Sequence, residues 1–360
     1  MLFREKIREI VILFFDPKGQ IIMLKKTGRG TLIPSGRVSL LASAAVVGKK
    51  EGEGPLKECF DYISEDSYFG ESSWEKAEAH MLRQCFALAC DKAELPPSKL
   101  DAVFSGDLLN QCVSSAFAMK DSGIPYFGLY GACSTVIEGL CLSAVALESG
   151  GFRTVCTLTG SHFCSAERQY RFPLEYGGQR TPTSQWTVTG AGAVIAAAGG
   201  GSGSHITAIT PGRIVDAGIS DAGNMGAAMA PAAYDTLKAH FSDTGRSPDY
   251  YDAIFTGDLG AVGHDILADL FAADGVKLGV RYMDCGVLMY DLNTQDVNAG
   301  GSGCGCCASV LAGHILPAME RGVWKRVLVA ATGALMSPLS CQQSCTIPGI
   351  CHAVSIEREG

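Results

Sequence analysis

The chain repeats itself, and that limits its fold more than any other feature. The run DAVFSGDL at 101–108 returns as DAIFTGDL at 252–259, with Asp107 and Asp258 151 residues apart (258 − 107). RTVCTLTG at 153–160 returns as RVLVAATG at 326–333, with Gly160 and Gly333 173 residues apart (333 − 160). Two strand-like runs recurring in the same order point to a duplicated unit. Carried onto Cys133, the second offset falls on Cys306 (133 + 173), inside a glycine-rich stretch. The expected halves are about 31–204 and 205–360, sharing one sheet-rich core. Residues 1–30 read differently. Their apolar runs flank Asp16-Pro17-Lys18-Gly19, which suits a hairpin turn, unless the true start is Met23.

Around these runs, apolar strands alternate with helices. Residues 74–95 carry apolar side chains every three or four positions, ending at Pro96-Pro97. Strands are expected at 102–105, 127–130 and 154–159, with helices at about 110–119 and from Cys133 to Gly150-Gly151. That alternation predicts a parallel sheet covered on both faces. Residues 31–56 look like an edge strand and a loop. The stretch 161–186 has few core residues and reads as a long functional loop holding His162, Arg168, Arg171, Glu175 and Arg180.

Composition removes several function classes. A net charge of -8 with 29 Lys+Arg lacks the dense basic face that phosphate backbones need, so nucleic acid is not an expected partner. Fifteen cysteines with no secretory signal read as free thiols in a reducing compartment, many of them on apolar faces like Cys85, Cys90 and Cys141. No apolar run approaches the length that spans a bilayer. The cluster Cys304, Cys306 and Cys307, even with Cys341 and Cys345, lacks the paired spacing of zinc ligands, and no metal is expected.

Cys133 sits where a short apolar run hands over to a helix. Exposed N–H groups and the helix dipole favour an anion there and lower a thiol pKa. The residue is therefore either a nucleophile or part of the floor of a site for an anionic ligand.

GACST at 131–135, TGAGAVI at 189–195 and NAGGSGCGCCAS at 298–309 resemble the nucleophile turn, the GAGAV strand and the late glycine-rich loop of the thiolase-like superfamily. The resemblance implies an α/β thiolase-like fold of duplicated βαβαβαββ halves in five αβαβα layers. A closer resemblance is carried by GDLLNQ (106–111), SAERQYRFPLEYGGQ (165–179), AMAPAA (228–233), TGDL (256–259), GGSGC (300–304) and ATGAL (331–335). These motifs are similar to the stage V sporulation protein AD (SpoVAD) family of spore-forming Firmicutes, over about 31–360. That resemblance implies a protein that binds dipicolinic acid, as the acid or its calcium chelate. It also implies work with the other SpoVA membrane proteins at the spore inner membrane, in uptake during sporulation and release in germination. Thiolase-like proteins are commonly homodimers.

Condensing enzymes of this superfamily pair the cysteine with two His, or His and Asn, to hold the donor's enolate. Here the matching positions read Gly257-Asp258 and Cys304. His162 and His264 are the nearest substitutes. The expectation is a protein without condensing activity, the alternative an acyl-CoA acyltransferase using Cys133. Dipicolinate needs an anion hole, forked cations and a slot for its ring. Cys133, Ser134, Thr135, His162, Arg168, Arg171, Arg180, Asp258, Cys304 and Thr332 are the expected site residues.

Overall fold

The computed structural model describes residues 14–15, 21–22, 24–170, 180–200 and 203–359. Phe14–Phe15 pairs antiparallel with Ile21–Ile22, as a hairpin requires, while its turn at 16–20 lies outside the described residues.

Ten strands run through the main sheet in two mirrored sets of five. From its outer edge inward, the first set is Tyr126–Gly128, Ala102–Gly106, Thr154–Ser161, Gly190–Ala198 and Val38–Gly48. The second set, from the centre outward, is Gly203–Thr210, Gly349–Glu359, Arg326–Ala334, Ala253–Thr256 and Tyr282–Asp284. Numbered along the chain, each set has the spatial order 3-2-4-5-1, and the sets meet where Ser39 pairs with His205. The duplication in the sequence is therefore a duplication of topology. The sheet is mixed rather than parallel, because Gly190–Ala198 and Gly349–Glu359 run antiparallel to both their neighbours.

One repeated aspartate shows what the repeat conserves physically. Asp101 Oδ2 accepts from the Arg153 and Thr154 amides at 2.6 and 3.0 Å, and Asp252 Oδ2 from those of Lys325 and Arg326 at 2.7 and 2.9 Å. In each half the carboxylate satisfies amides at the start of the neighbouring strand, groups that would otherwise be unpaired.

Three apolar clusters separate the layers. Helix Trp74–Lys92 covers one outer face through Ala77, Met81, Leu82, Cys85 and Ala89. Helix Met225–Thr244, with Gly260–Ala273, covers the other through Met229, Ala233, Leu237, Leu267 and Phe271. Between the two five-stranded sets lie Thr135–Glu148 and Cys304–Val310, whose Ile137, Leu140, Leu147, Cys306, Cys307 and Val310 are fully enclosed. Three helical layers around the two sets make the five-layered α/β architecture.

Two further sequence expectations change. Val38–Gly48 is a central strand, not an edge: VSLLASAAVVG is small and apolar enough to be buried on both faces. Part of the expected loop at 161–186 is a helix, Phe163–Tyr170, burying Ser165, Ala166 and Glu167. Two turns are too short to show a period in the sequence. Residues 171–179, including Arg171 and Glu175, lie outside the described residues.

Candidate functional site

Two helix starts meet at the centre of the molecule. Strand Tyr126–Gly128 leads through the tight turn Ala132–Ser134 into helix Thr135–Glu148. Ala132 has a left-handed φ of 50°, uncommon for a residue with a Cβ, and holds Cys133 at the tip. Opposite, Trp186–Thr187 pairs in parallel with Gly301–Ser302 and fixes the glycine-rich loop just before Cys304–Val310. The two helices begin 169 residues apart (304 − 135), so the position matching Cys133 is Ser302 (133 + 169). The Ser302 hydroxyl is 3.5 Å from the Cys133 thiol. Cys306, the counterpart expected from strand spacing, instead donates to the Gly257 carbonyl from inside the helix.

Asp258 ties these pieces together. Its Oδ2 accepts from Ser302 Oγ at 2.8 Å and the Gly303 amide at 3.2 Å, and its Oδ1 from Thr332 Oγ1 at 2.8 Å. Its repeat partner Asp107 turns back on its own loop, accepting from the Leu109 and Ser115 amides. Burial raises the Asp258 carboxyl from 3.8 to about 6, against the pull of its hydroxyl and thiol donors. The same environment acts on Cys133. Burial pushes its thiol well above the ordinary value, and the Asp258 charge adds to the shift. The lowered pKa expected at a helix N-terminus is thus reversed: desolvation and a neighbouring carboxylate outweigh the dipole. Alkylation should show this. Under native conditions iodoacetamide should label the exposed Cys345 at least about a hundredfold faster than the buried Cys133, read by peptide mass spectrometry.

A cavity of about 160 Å³ opens over Cys133. Leu108, Ala132, Ala166 and Tyr170 form apolar walls, Ser302 and Gly303 the far side, and Met225, Met336 and Cys341 the outer part. Glu167 and Gln185 supply polar groups, and the Gln185 amide is fixed by donating to the Asp258 and Gly301 carbonyls. At the rim, Tyr130 and Tyr170 share a hydroxyl contact of 2.8 Å.

Of the residues expected at the site, Cys133 lines this cavity, and Asp258 stands behind Ser302 and Gly303 with Thr332 bound to it. Cys304 is one step deeper, donating to the Ala132 carbonyl at 2.9 Å. The Ser134 and Thr135 hydroxyls donate within their own turn, to Gly131 and Ala132 carbonyls, and are not among the lining groups. His162 faces a different pocket. Its Nε2 meets the Ser67 carbonyl at 2.7 Å, its Nδ1 accepts from the Cys164 amide, and burial lowers its pKa. Arg168 pairs with Glu75 and lies over Trp74, while Arg180 binds Asp296 and lies over Trp186. Arg171 lies outside the described residues. His264 stacks on Tyr282 and contacts Asp265, on an outer helix. Sequence reasoning missed Glu167, Tyr170, Gln185 and Ser302. Only Ser302 had a signal, the alignment of the two helix starts. The thiols of Cys304 and Cys306 point to different carbonyls, and among the described residues no three His, Cys, Asp or Glu side chains converge on a metal position.

Paired five-stranded sets, a central helix layer and a cysteine turn facing a glycine-rich loop define a thiolase-like protein. Solved structures share this fold. 3-Oxoacyl-(acyl-carrier-protein) synthase III from Aquifex aeolicus VF5 is 14% identical with a TM-score of 0.55, covering 89% of this chain and 99% of that one. Cerulenin-bound OleA from Xanthomonas campestris is 14% identical with a TM-score of 0.58, covering 89% and 96%. Within that class the chain belongs to the stage V sporulation protein AD (SpoVAD) family, whose sequence profile matches residues 28–357. Stage V sporulation protein AD of Bacillus subtilis (strain 168) is 41% identical over 337 residues, 94% of this chain and 99% of the relative.

Proposed function

We propose that this sporulation-family protein binds dipicolinate, as its calcium chelate, in the cavity over Cys133 and performs no acyl condensation there. The observation that carries this reading is the charge around the cavity. Its described lining includes the carboxylate Glu167, with Asp258 directly behind, and no lysine or arginine. A free dicarboxylate would be desolvated there beside like charge, which is unfavourable. The one-to-one chelate is neutral, and its calcium accepts carboxylate, carbonyl and hydroxyl oxygens. The apolar walls leave a slot for the flat ring. Against condensation stand the protonated Cys133 thiol and a carboxylate where an enolate would need a donor.

On this reading the protein works with the SpoVA membrane proteins in dipicolinate uptake and release. They hold it, on this reading, at the spore inner membrane; no helix among the described residues is long and apolar enough to cross a membrane. It acts as a homodimer, pairing across the outer sheet edge at Tyr126–Gly128, where Phe117 and Phe127 are exposed.

Calorimetric titration of the purified chain with dipicolinate, once with equimolar calcium and once with excess EDTA, tests the reading. Saturable binding is expected with calcium, at least about tenfold weaker without it, a difference of about 1.4 kcal/mol. No saturable binding in either titration would sink it. One observation favours the acyltransferase alternative: the left-handed Ala132 keeps the strained turn of a nucleophile. An acyl adduct on Cys133 after incubation with an acyl-CoA, with turnover, would establish that alternative.

A further inference from the structure

Strand Trp186–Thr187 carries a second cluster, which the Cys133 cavity does not use. Phe163 packs flat against the Trp186 indole, with ring centroids 3.8 Å apart and planes 8° from parallel. Two cations also lie over this indole. The Lys50 ammonium lies 4.1 Å from the indole centroid, and the Arg180 guanidinium carbon 4.6 Å. A pocket of about 350 Å³ opens beside Lys50 and Trp186, lined in part by Lys49 and Phe163 as well.

Two like charges this close repel each other, and the attraction of one indole, on the order of 1 kcal/mol per cation, offsets only part of that. Nearby carboxylates answer them incompletely. Asp296 binds Arg180 Nη2 at 2.8 Å but is itself 83% exposed. Glu65 is paired with Lys49. Glu51 is fully buried, and burial raises its pKa towards the neutral form. Glu53 also lines the pocket and opposes an anion. Arg180 Nη1 is buried and has no hydrogen-bond partner among the described residues. A guanidinium whose Nη1 has no partner among the described residues, beside an ammonium, suits one ligand class, a multiply charged oxyanion, which the fork and the point charge hold together.

We propose that Lys50 and Arg180, crowded over Trp186, form a binding site for the phosphate or carboxylate group of a small anionic ligand, separate from the Cys133 cavity. Fluorescence titration at constant ionic strength tests it, with sodium pyrophosphate and sodium citrate as probes for the two oxyanion chemistries. The Trp186 component is isolated by subtracting the response of Trp186→Phe from that of the three-tryptophan wild type. At least one probe should give a saturable change. Lys50→Gln and Arg180→Gln should each weaken it about tenfold, and Lys50→Arg should retain it. No saturable change with either probe, or an unaltered response in both glutamine variants, overturns the site. If Arg180→Gln lowers the thermal midpoint, Lys50→Gln and Lys50→Arg decide alone. Calcium-dipicolinate binding should be untouched in Lys50→Gln, so failure of one site is distinguishable from failure of the other.

Discussion

Replacing Asp258 with alanine is expected to destabilise the protein by about 3 kcal/mol. The substitution strands three buried donors, Ser302 Oγ, the Gly303 amide and Thr332 Oγ1. Each costs about 1–3 kcal/mol when left unpaired, and relief from burying a carboxylate offsets part of the sum. A pH experiment separates this role from simple packing. The Asp258 carboxyl titrates at about 6 in the fold against an ordinary 3.8, so the folded chain holds this proton more tightly than the unfolded chain. Its contribution is fully present below about pH 4 and is lost as pH rises through about 6, a total of roughly 3 kcal/mol. Asp258→Asn keeps the size of the side chain and removes the titration. Urea unfolding of both proteins at about pH 4.5 and 7.5 should therefore show the wild type losing on the order of 2 kcal/mol more than the variant. Glu51, Glu78 and Asp107, also raised by burial, tilt both profiles alike and cancel in the difference. Parallel profiles would refute the buried, protonatable Asp258.

Much of this fold was legible because duplication leaves local marks. The DAVFSGDL and DAIFTGDL runs recur because each begins with an aspartate that pairs with amides at a neighbouring strand's start, and each continues as a buried strand. Val38–Gly48 was not legible as a central strand, since small residues without alternation give no period and its role depends on antiparallel neighbours far along the chain. Asp258 was legible by its place in the repeat, but its partners were not. Asp107, at the equivalent position, bonds locally, and nothing local to either run distinguishes them. Arg168 and Arg180 lie away from the Cys133 cavity for a related reason. Charge in a polar stretch is visible in the sequence, whereas the ring or carboxylate that captures it is set by tertiary packing: Trp74 and Glu75 for Arg168, Trp186 and Asp296 for Arg180. The thiol of Cys133 follows the same rule. Its helix start could be read from the chain, but the carboxylate beside it comes from the other half.

The contact between halves can be broken at one atom. Gly192 lies in the strand Gly190–Ala198, in register with Ala45 and Thr159, and a Cβ there would overlap the backbone carbonyl of Ala308. Gly305, on the facing helix, would in turn overlap the Gly190 carbonyl. Helix Cys304–Val310 is therefore seated directly on the strand, and no flexible side chain can move aside. Gly192→Ala must push back a buried helix on which most neighbouring residues are fully enclosed, which should cost about 3 kcal/mol or more or prevent folding. Gly30→Ala is the control. A Cβ at position 30 meets nothing within 4 Å, so its effect should stay within about 0.5 kcal/mol. The helix carries Ser302 and Gly303 at its start, so any folded Gly192→Ala protein should also show a disturbed cavity. Cys133 should then react faster with iodoacetamide than in wild type, and binding of the calcium chelate should weaken. A Gly192→Ala protein that matches the wild type in unfolding and in Cys133 protection would mean that the glycine-rich loop is positioned by something other than this strand–helix contact.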